Sequence, residues 1–291
     1  MFFYVLLAVI IIINLYYIVV LFKNLKEHQK DIMAEKGHPI FYTILAFVSM
    51  LLSTLGISDY AINTVVYQKT KTVEDRLIPP TLNTEGTIPC FVMALCYITT
   101  VECDLVTLII LIIAQTIGSI LSPKIVARLS ADFIRWFMGI GLGVAGIMIL
   151  MNQLGVIPND GTALGLTGPK LIVTAVCMFF LGAFNNIGIG AFAPTTALVY
   201  AMGMSPLVAF PIMMGACTCS LAVGSAEFVK LNNYARKPTL FFIIPGVLGV
   251  LCAAYIVTNI DLYYLKWIVL VVVMYAAISL IYGQLKRAKA K

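Results

Sequence analysis

Long apolar runs alternate with short polar links along the chain. The runs are Met1 to Phe22, Ile40 to Tyr67, Leu77 to Thr100, Leu105 to Leu121, Phe133 to Met151, Lys170 to Ala201, Pro206 to Ala226, Pro238 to Val257 and Leu262 to Gly283. Most reach or approach the roughly 18 to 20 apolar residues that cross a bilayer as one helix. Two runs are interrupted at mid-length. The middle of Ile40 to Tyr67 reads GISDYAINT, from Gly56 to Thr64. The second interruption, Leu181 to Ser205, reads LGAFNNIGIGAFAPTTALVYAMGMS. Backbone that leaves the helical form at membrane depth is tolerated only where protein or a water-filled cavity surrounds it. Both runs are therefore predicted to be re-entrant or broken helical hairpins. The first has 28 residues, too few for two full crossing helices. The predicted fold class is an all-α polytopic membrane protein: about seven transmembrane helices plus two broken hairpins.

Charge orients this pattern. Lys23, Lys26, Lys30 and Lys36 follow the first run, and Lys69, Lys71 and Arg76 follow the first hairpin. Positive loops stay cytoplasmic, so the N-terminus is expected outside and both ends of that hairpin inside. Lys124, Arg128 and Arg135, then Lys230, Arg236 and Lys237, mark further cytoplasmic links, and the tail carries Lys286, Arg287, Lys289 and Lys291. The connectors holding Glu102 and Asp104, Asn152 to Gly168, and Asn259 to Asp261 have no Lys or Arg and are expected outside. Lys170 and Lys266 alone sit on the other side. Met1 to Phe22 lacks a basic leader and a small-residue cleavage site, so it reads as a retained membrane helix rather than a signal peptide. The expected location is the plasma membrane, multi-pass, with a cytoplasmic C-terminus.

The two halves match at an offset of 131 residues: Gly118 with Gly249, Arg135 with Lys266, Trp136 with Trp267, Pro80 with Pro211 and Thr87 with Thr218. These are the chain's two tryptophans. The repeat unit is a hairpin plus three spans, an odd number, so the second copy is inverted in the membrane. Inverted repeats with paired broken helices are a recurring secondary-transporter design. The expected organisation is residues 1–39 as an N-terminal helix and loop, 40–151 as the first repeat, 152–169 as an external linker, 170–285 as the inverted second repeat, and 286–291 as a basic tail.

Composition narrows the function. The chain is 61% hydrophobic and 11% charged, and its net charge of +6 lies in loops, which excludes a nucleic-acid partner. The seven cysteines form no CxxC pair and no Cys/His cluster, so neither a metal nor a disulfide framework is expected. No HExxH, GxSxG or P-loop is present, and no His lies in a span; the chain is not expected to be an enzyme, and no cofactor is implied.

The hairpin breaks are the candidate chemistry. A helix that restarts after a break offers unpaired backbone N–H groups and the positive end of its dipole, which suits an anion. Asn185, Asn186, Gly188, Gly190, Thr195 and Thr196 supply donors and close backbone approach at the second break, without a fixed cation. Ser58, Asn63 and Thr64 face the same role at the first, and Thr87 and Thr218 are expected near the starts of the following spans. Small and hydroxyl residues also serve plain helix contacts in membranes. Two acids, Asp59 and Glu85, are placed inside the membrane, where an ionisable group is costly and functional by default. Either can carry a coupling proton or bind sodium; Asp59 can instead cap the half-helix that starts near Tyr60.

The stretch LGAFNNIGIGAFAPTTALVYAMGMSPLVAFPIMMGACT resembles the signature of TauE/SafE-type sulfite exporters. Gly182, Gly188, Gly190, Pro194, Gly203, Ala209 and Gly215 fall where that pattern has them, as do Gly246 and Gly249 later. The first repeat departs from it, with Ser58, Asp59 and Asn63 in place of glycines. The resemblance implies transport of sulfite, a sulfonate or a related small anion. The functional expectation is a secondary transporter working by alternating access around a midplane site between the hairpin tips; an anion channel or a non-transporting assembly protein is the alternative. Its expected partners are a small inorganic or organic anion, a coupling proton or sodium ion, the lipid bilayer and, as one option, a second copy in a homodimer.

Overall fold

The computed structural model describes the chain apart from residues 1, 56–58, 127–135, 137–138, 141–142, 145, 148–149, 152, 155–161, 186–191, 260 and 290–291. The described residues form helices and no strand; one isolated bridge joins Ala163 and Met204. The helices are α1 (Phe2–Glu27), α2 (Gln29–Ile32), α3 (Pro39–Thr54), α4 (Asp59–Thr70), α5 (Ile78–Thr100), α6 (Leu105–Val126), α7 (Gly168–Asn185), α8 (Phe192–Ala201), α9 (Ala209–Lys230), α10 (Arg236–Asn259) and α11 (Leu262–Lys289). Helical turns are also present at Trp136, Ile140, Val144 and Ile147, within the expected span Phe133 to Met151. These four side chains follow helical spacing, and all are exposed apolar groups.

Among the described residues, four helical stretches are long and apolar enough to cross a membrane: Tyr4–Glu27, Ala209–Lys230, Arg236–Ile256 and Trp267–Leu285. Their outward faces are apolar. On α1, Val5, Val9, Ile12, Tyr16 and Val19 are exposed, and on α11 so are Val271, Tyr275, Ile278 and Tyr282. Continuous apolar surface of this kind suits hydrocarbon rather than water, and the chain fits a helical membrane protein. Pro39–Thr54, Leu105–Leu121 and Gly168–Ala183 are shorter apolar helices. Helix α5 has 23 residues but is not among the four. Thr81, Asn83, Thr84, Glu85 and Thr87 interrupt its apolar sequence, and protein rather than lipid covers most of it.

Each expected break lies between two short described helices. At about 1.5 Å rise per residue, the 16 residues of α3 and 12 of α4 are each too short for a roughly 30 Å hydrocarbon core. The 18 of α7 and 10 of α8 are short in the same way. His38 starts α3, its ring nitrogen accepting from Ile40 N–H at 3.3 Å, with Pro39 at the first helical position where no N–H is needed. The tips themselves, including Ser58, Asn186, Gly188 and Gly190, lie outside the described residues.

The chain divides into two compact units. The first comprises residues 1–99 and 217–258; the second, 100–216 and 259–291. In the first, Tyr17, Leu21 and Leu25 of α1 are buried with Ile88, Ala222, Ala226 and Val229. A second cluster joins Tyr42, Tyr67, Val73, Ile78, Leu82 and Ala235. Links that loop charge assigns to one side meet there. Asn24 Nδ2 donates to Asn232 Oδ1 at 2.8 Å, and the Glu35 carboxylate accepts the N–H groups of Arg236 (3.0 Å) and Lys237 (2.8 Å). Glu35 thus caps the N-terminus of α10, where orphan donors and the helix dipole favour an anion. In the second unit, α6 and α7 approach at glycines: a Cβ on Gly118 would collide with the Phe179 carbonyl, and one on Gly182 with the Gln115 carbonyl. Gly249 of α10 packs in the same way against the Phe47 carbonyl of α3 in the first unit. Small residues let membrane helices approach backbone to backbone.

Asp104 starts α6. Its Oδ2 accepts from Thr107 N–H and Thr107 Oγ1, both at 2.8 Å, and these bonds hold its carboxyl below the usual carboxylate range. Leu166 N–H donates to Thr107 Oγ1 at 2.9 Å, tying the 163–166 segment to this cap.

Replacing Gly118 or Gly249 by Ala is expected to lower thermal stability in detergent, by about 1–3 kcal/mol for forced overpacking. Gly224→Ala, where no heavy atom lies within 4 Å of the new Cβ, is expected to be neutral or to stabilise by up to about 1 kcal/mol through helix propensity. Equal midpoints for all three variants would contradict the close contacts. Because the Asp104 carboxyl is held low, its stabilisation is complete above the unfolded-state value and is lost as pH falls through the folded value. Asp104→Ala is expected to remove that acid-side dependence and to cost roughly 0.5–2 kcal/mol at neutral pH; thermal midpoints at pH 7 and pH 3 measure both.

Candidate functional site

The polar core of the first unit is organised by α5. Glu85, its eighth residue, is 1% exposed. Tyr67 Oη donates to Glu85 Oε2 at 2.7 Å, and Asn63 Nδ2 donates to Glu85 Oε1 at 3.1 Å. Tyr67 and Asn63 stand four residues apart on α4, so one helical face presents both donors. No ion pair reaches Glu85 or Asp59 among the described residues; the pairs present are exposed ones, such as Lys230 with Glu227. Asn63 Oδ1 is buried and has no hydrogen-bond partner among the described residues.

Asp59 opens α4. Ser53 Oγ donates to its Oδ1 at 2.8 Å. Its Oδ2 lies 3.9 Å from where a Cβ on Gly86 would stand, so this carboxylate rests on α5 directly beside Glu85. Tyr60 Oη donates to Asn83 Oδ1 at 3.0 Å, a second link between α4 and α5.

The network continues away from the acids. Thr87 Oγ1 lies 2.9 Å from Ser225 Oγ, and Thr218 Oγ1 donates to Asn14 Oδ1 at 3.1 Å. Both threonines are fully buried, each the tenth residue of its helix. They therefore lie nearer mid-helix than the starts of their spans. Tyr17 Oη donates to the Thr84 carbonyl at 2.6 Å, and Thr84 Oγ1 lies 3.2 Å from Thr239 Oγ1. Thr64 is half-buried one residue beyond Asn63.

In the second unit, Thr195 and Thr196 are fully buried in the first turns of α8. Thr195 Oγ1 has no hydrogen-bond partner among the described residues. Asn185 is the last residue of α7, and its side chain lies outside the described set, as do Asn186, Gly188 and Gly190. The structure thus brings together Asn63, Glu85 and Asp59, and places Thr87 and Thr218 on the same unit's buried polar network.

Tyr67, Ser53, Tyr60, Asn14, Tyr17 and Ser225 are the partners that sequence reasoning missed. Tyrosines and serines in apolar runs read as ordinary span residues, and 18 positions separate Tyr67 from Glu85. The sequence also gives no sign that the Cys90 thiol meets the Cys217 thiol across α5 and α9. No cluster of three or more His, Cys, Asp or Glu side chains able to hold a metal occurs among the described residues.

Tyr67→Phe deletes a donor from a buried carboxyl and is expected to destabilise by about 1–3 kcal/mol. In a double-mutant cycle with Glu85→Gln, the two changes are expected to be non-additive by at least about 0.5 kcal/mol. Additive effects on the unfolding midpoint would show that the two groups do not depend on each other.

No protein-family model, no curated protein and no solved structure matches this chain.

Proposed function

We propose that the chain is a secondary transporter of a small anion, working by alternating access, with seven membrane helices and two broken hairpins in an inverted repeat. The observation that carries this reading is Thr195. Its hydroxyl is fully buried and unpartnered among the described residues, in the first turn of α8 as described from Phe192. A buried hydroxyl without a partner costs free energy, and a helix start supplies further N–H donors and positive potential. An oxyanion satisfies all of these at once. Pro194, in the same turn, removes an N–H without breaking the helix.

The repeat draws support from packing. Gly118 and Gly249, matched in the 131-residue offset, each press against the first helix of a broken pair, α7 and α3 respectively. Thr87 and Thr218, also matched, hold the same position in their helices. The likeness of the Leu181 to Thr218 stretch to sulfite exporters points to sulfite, a sulfonate or another sulfur-containing or organic anion as substrate. The half-buried Asp59 on α4 and the buried Glu85 on α5 supply a place for a coupling ion.

Uptake of labelled sulfite into proteoliposomes tests the reading. Wild type is expected to give saturable uptake, stimulated by an inward proton gradient. Thr195→Val is expected to cut uptake at sub-saturating sulfite about 5- to 10-fold, the worth of one hydrogen bond. Gly190→Leu is expected to abolish uptake while the protein still inserts. Wild-type uptake in both variants would sink the anion site. Unsaturable flux that ignores a proton gradient would identify a channel instead.

A further inference from the structure

Asp59, half-buried, and Glu85, buried, are neighbouring carboxyls, and their surroundings differ in kind. Asp59 stands at the first residue of α4, takes the Ser53 hydroxyl, and sits at the positive end of that helix's dipole. Donors of that type hold an ionised carboxylate. Glu85 stands inside α5, away from either end, and receives only a phenol and a side-chain amide. The titratable groups that bear on Glu85 are Tyr17 on α1, Tyr42 on α3, and Asp59, Tyr60 and Tyr67 on α4; none is a cation. From α9 the nearby titratable groups are the thiols of Cys217 and Cys219, beside Cys90 and Tyr60. Neighbouring carboxyls without a cation disfavour ionising both at once, and the buried one of the two is the more disfavoured.

Asn63 shows where the proton goes. Its Nδ2 faces Glu85 Oε1, while its Oδ1 is buried and unpartnered among the described residues. A half-turn of the amide exchanges these atoms, since an amide carries a donor pair and an acceptor on one planar group. With Nδ2 inward the amide donates to an ionised Glu85. With Oδ1 inward it accepts from a protonated Glu85, and the orphan acceptor is satisfied. Tyr67 Oη donates to the other carboxyl oxygen in both states.

We propose that Glu85, Asn63 and Tyr67 form a proton-binding site in which the Asn63 amide turns with the charge of Glu85, and that this site carries the coupling proton of the transporter. The second half of that statement rests on the transport reading; the first does not. Asp59 is the fixed anion of the pair, and Glu85 the group that exchanges its proton.

Difference infrared spectroscopy of the full chain in lipid vesicles tests the site directly. Wild type is expected to show, at neutral pH, a protonated-carboxyl carbonyl band that shifts in heavy water. Glu85→Gln is expected to lose it. Tyr67→Phe, which keeps the acid, is expected to shift the band by removing a donor, so the test survives if the first variant misfolds. The band is expected to be the same in sodium chloride and in choline chloride. Absence of a Glu85-dependent band, or its loss on adding sodium, overturns the proton site and, in the second case, assigns sodium. In sulfite uptake, Glu85→Gln is expected to lose stimulation by a proton gradient while keeping sulfite counterflow; retained stimulation overturns the coupling role. Wild-type vesicles that take up no anion at all would overturn the transport reading alone, because the infrared band needs no transport.

Discussion

A membrane interior offers no water to unpaired polar groups, so each one must be served from within the protein. Helix α5 is where this constraint bears hardest. It brings Thr81, Thr84, Glu85 and Thr87 into positions that are 0–1% exposed. Each has an identified partner: Thr81 Oγ1 accepts from Ala235 N–H, Thr84 meets Thr239, Glu85 takes Asn63 and Tyr67, and Thr87 meets Ser225. Those partners come from α4, α9, α10 and the turn before α10, which fixes the assembly of the first unit around one polar helix. An apolar α5 would fold with less difficulty, and that cost is the physical argument that its polar groups have work to do.

The same rule separates satisfied from unsatisfied groups. Most buried side-chain polar atoms in the first unit are paired, so the exceptions are informative. Asn63 Oδ1 is one, beside an acid whose protonation would satisfy it; Thr195 Oγ1 in the second unit is another, beside a helix start that favours an anion. One points to a proton and the other to an oxyanion. A carrier that couples the two needs both.

Much of the architecture is legible in the sequence because hydrophobic length and interruption are one-dimensional signals. Where the residues are described, the apolar runs are helical, and the two interruptions fall between the short helices α3 and α4 and α7 and α8. Glu85 and Asp59 are readable as candidates because an acid in an apolar run is conspicuous. Their partners are not readable: Tyr67 and Ser53 look like ordinary span residues, and only tertiary contact distinguishes them. The span count is less legible for a related reason. Composition decides whether a helix can face lipid, and α5 has the length without the composition; among the described residues four helical stretches meet both conditions. Nor does the sequence show that α1, which reads as a separate leading helix, is built into the core through Tyr17 and Asn14.

The most direct measurement is the internal pH of proteoliposomes when thiosulfate, an anion that stays ionised and does not cross lipid unaided, is added outside. A proton-coupled carrier predicts protein-dependent acidification of the lumen that rises with anion concentration and saturates. Anion uptake with no protein-dependent change in internal pH would contradict the account.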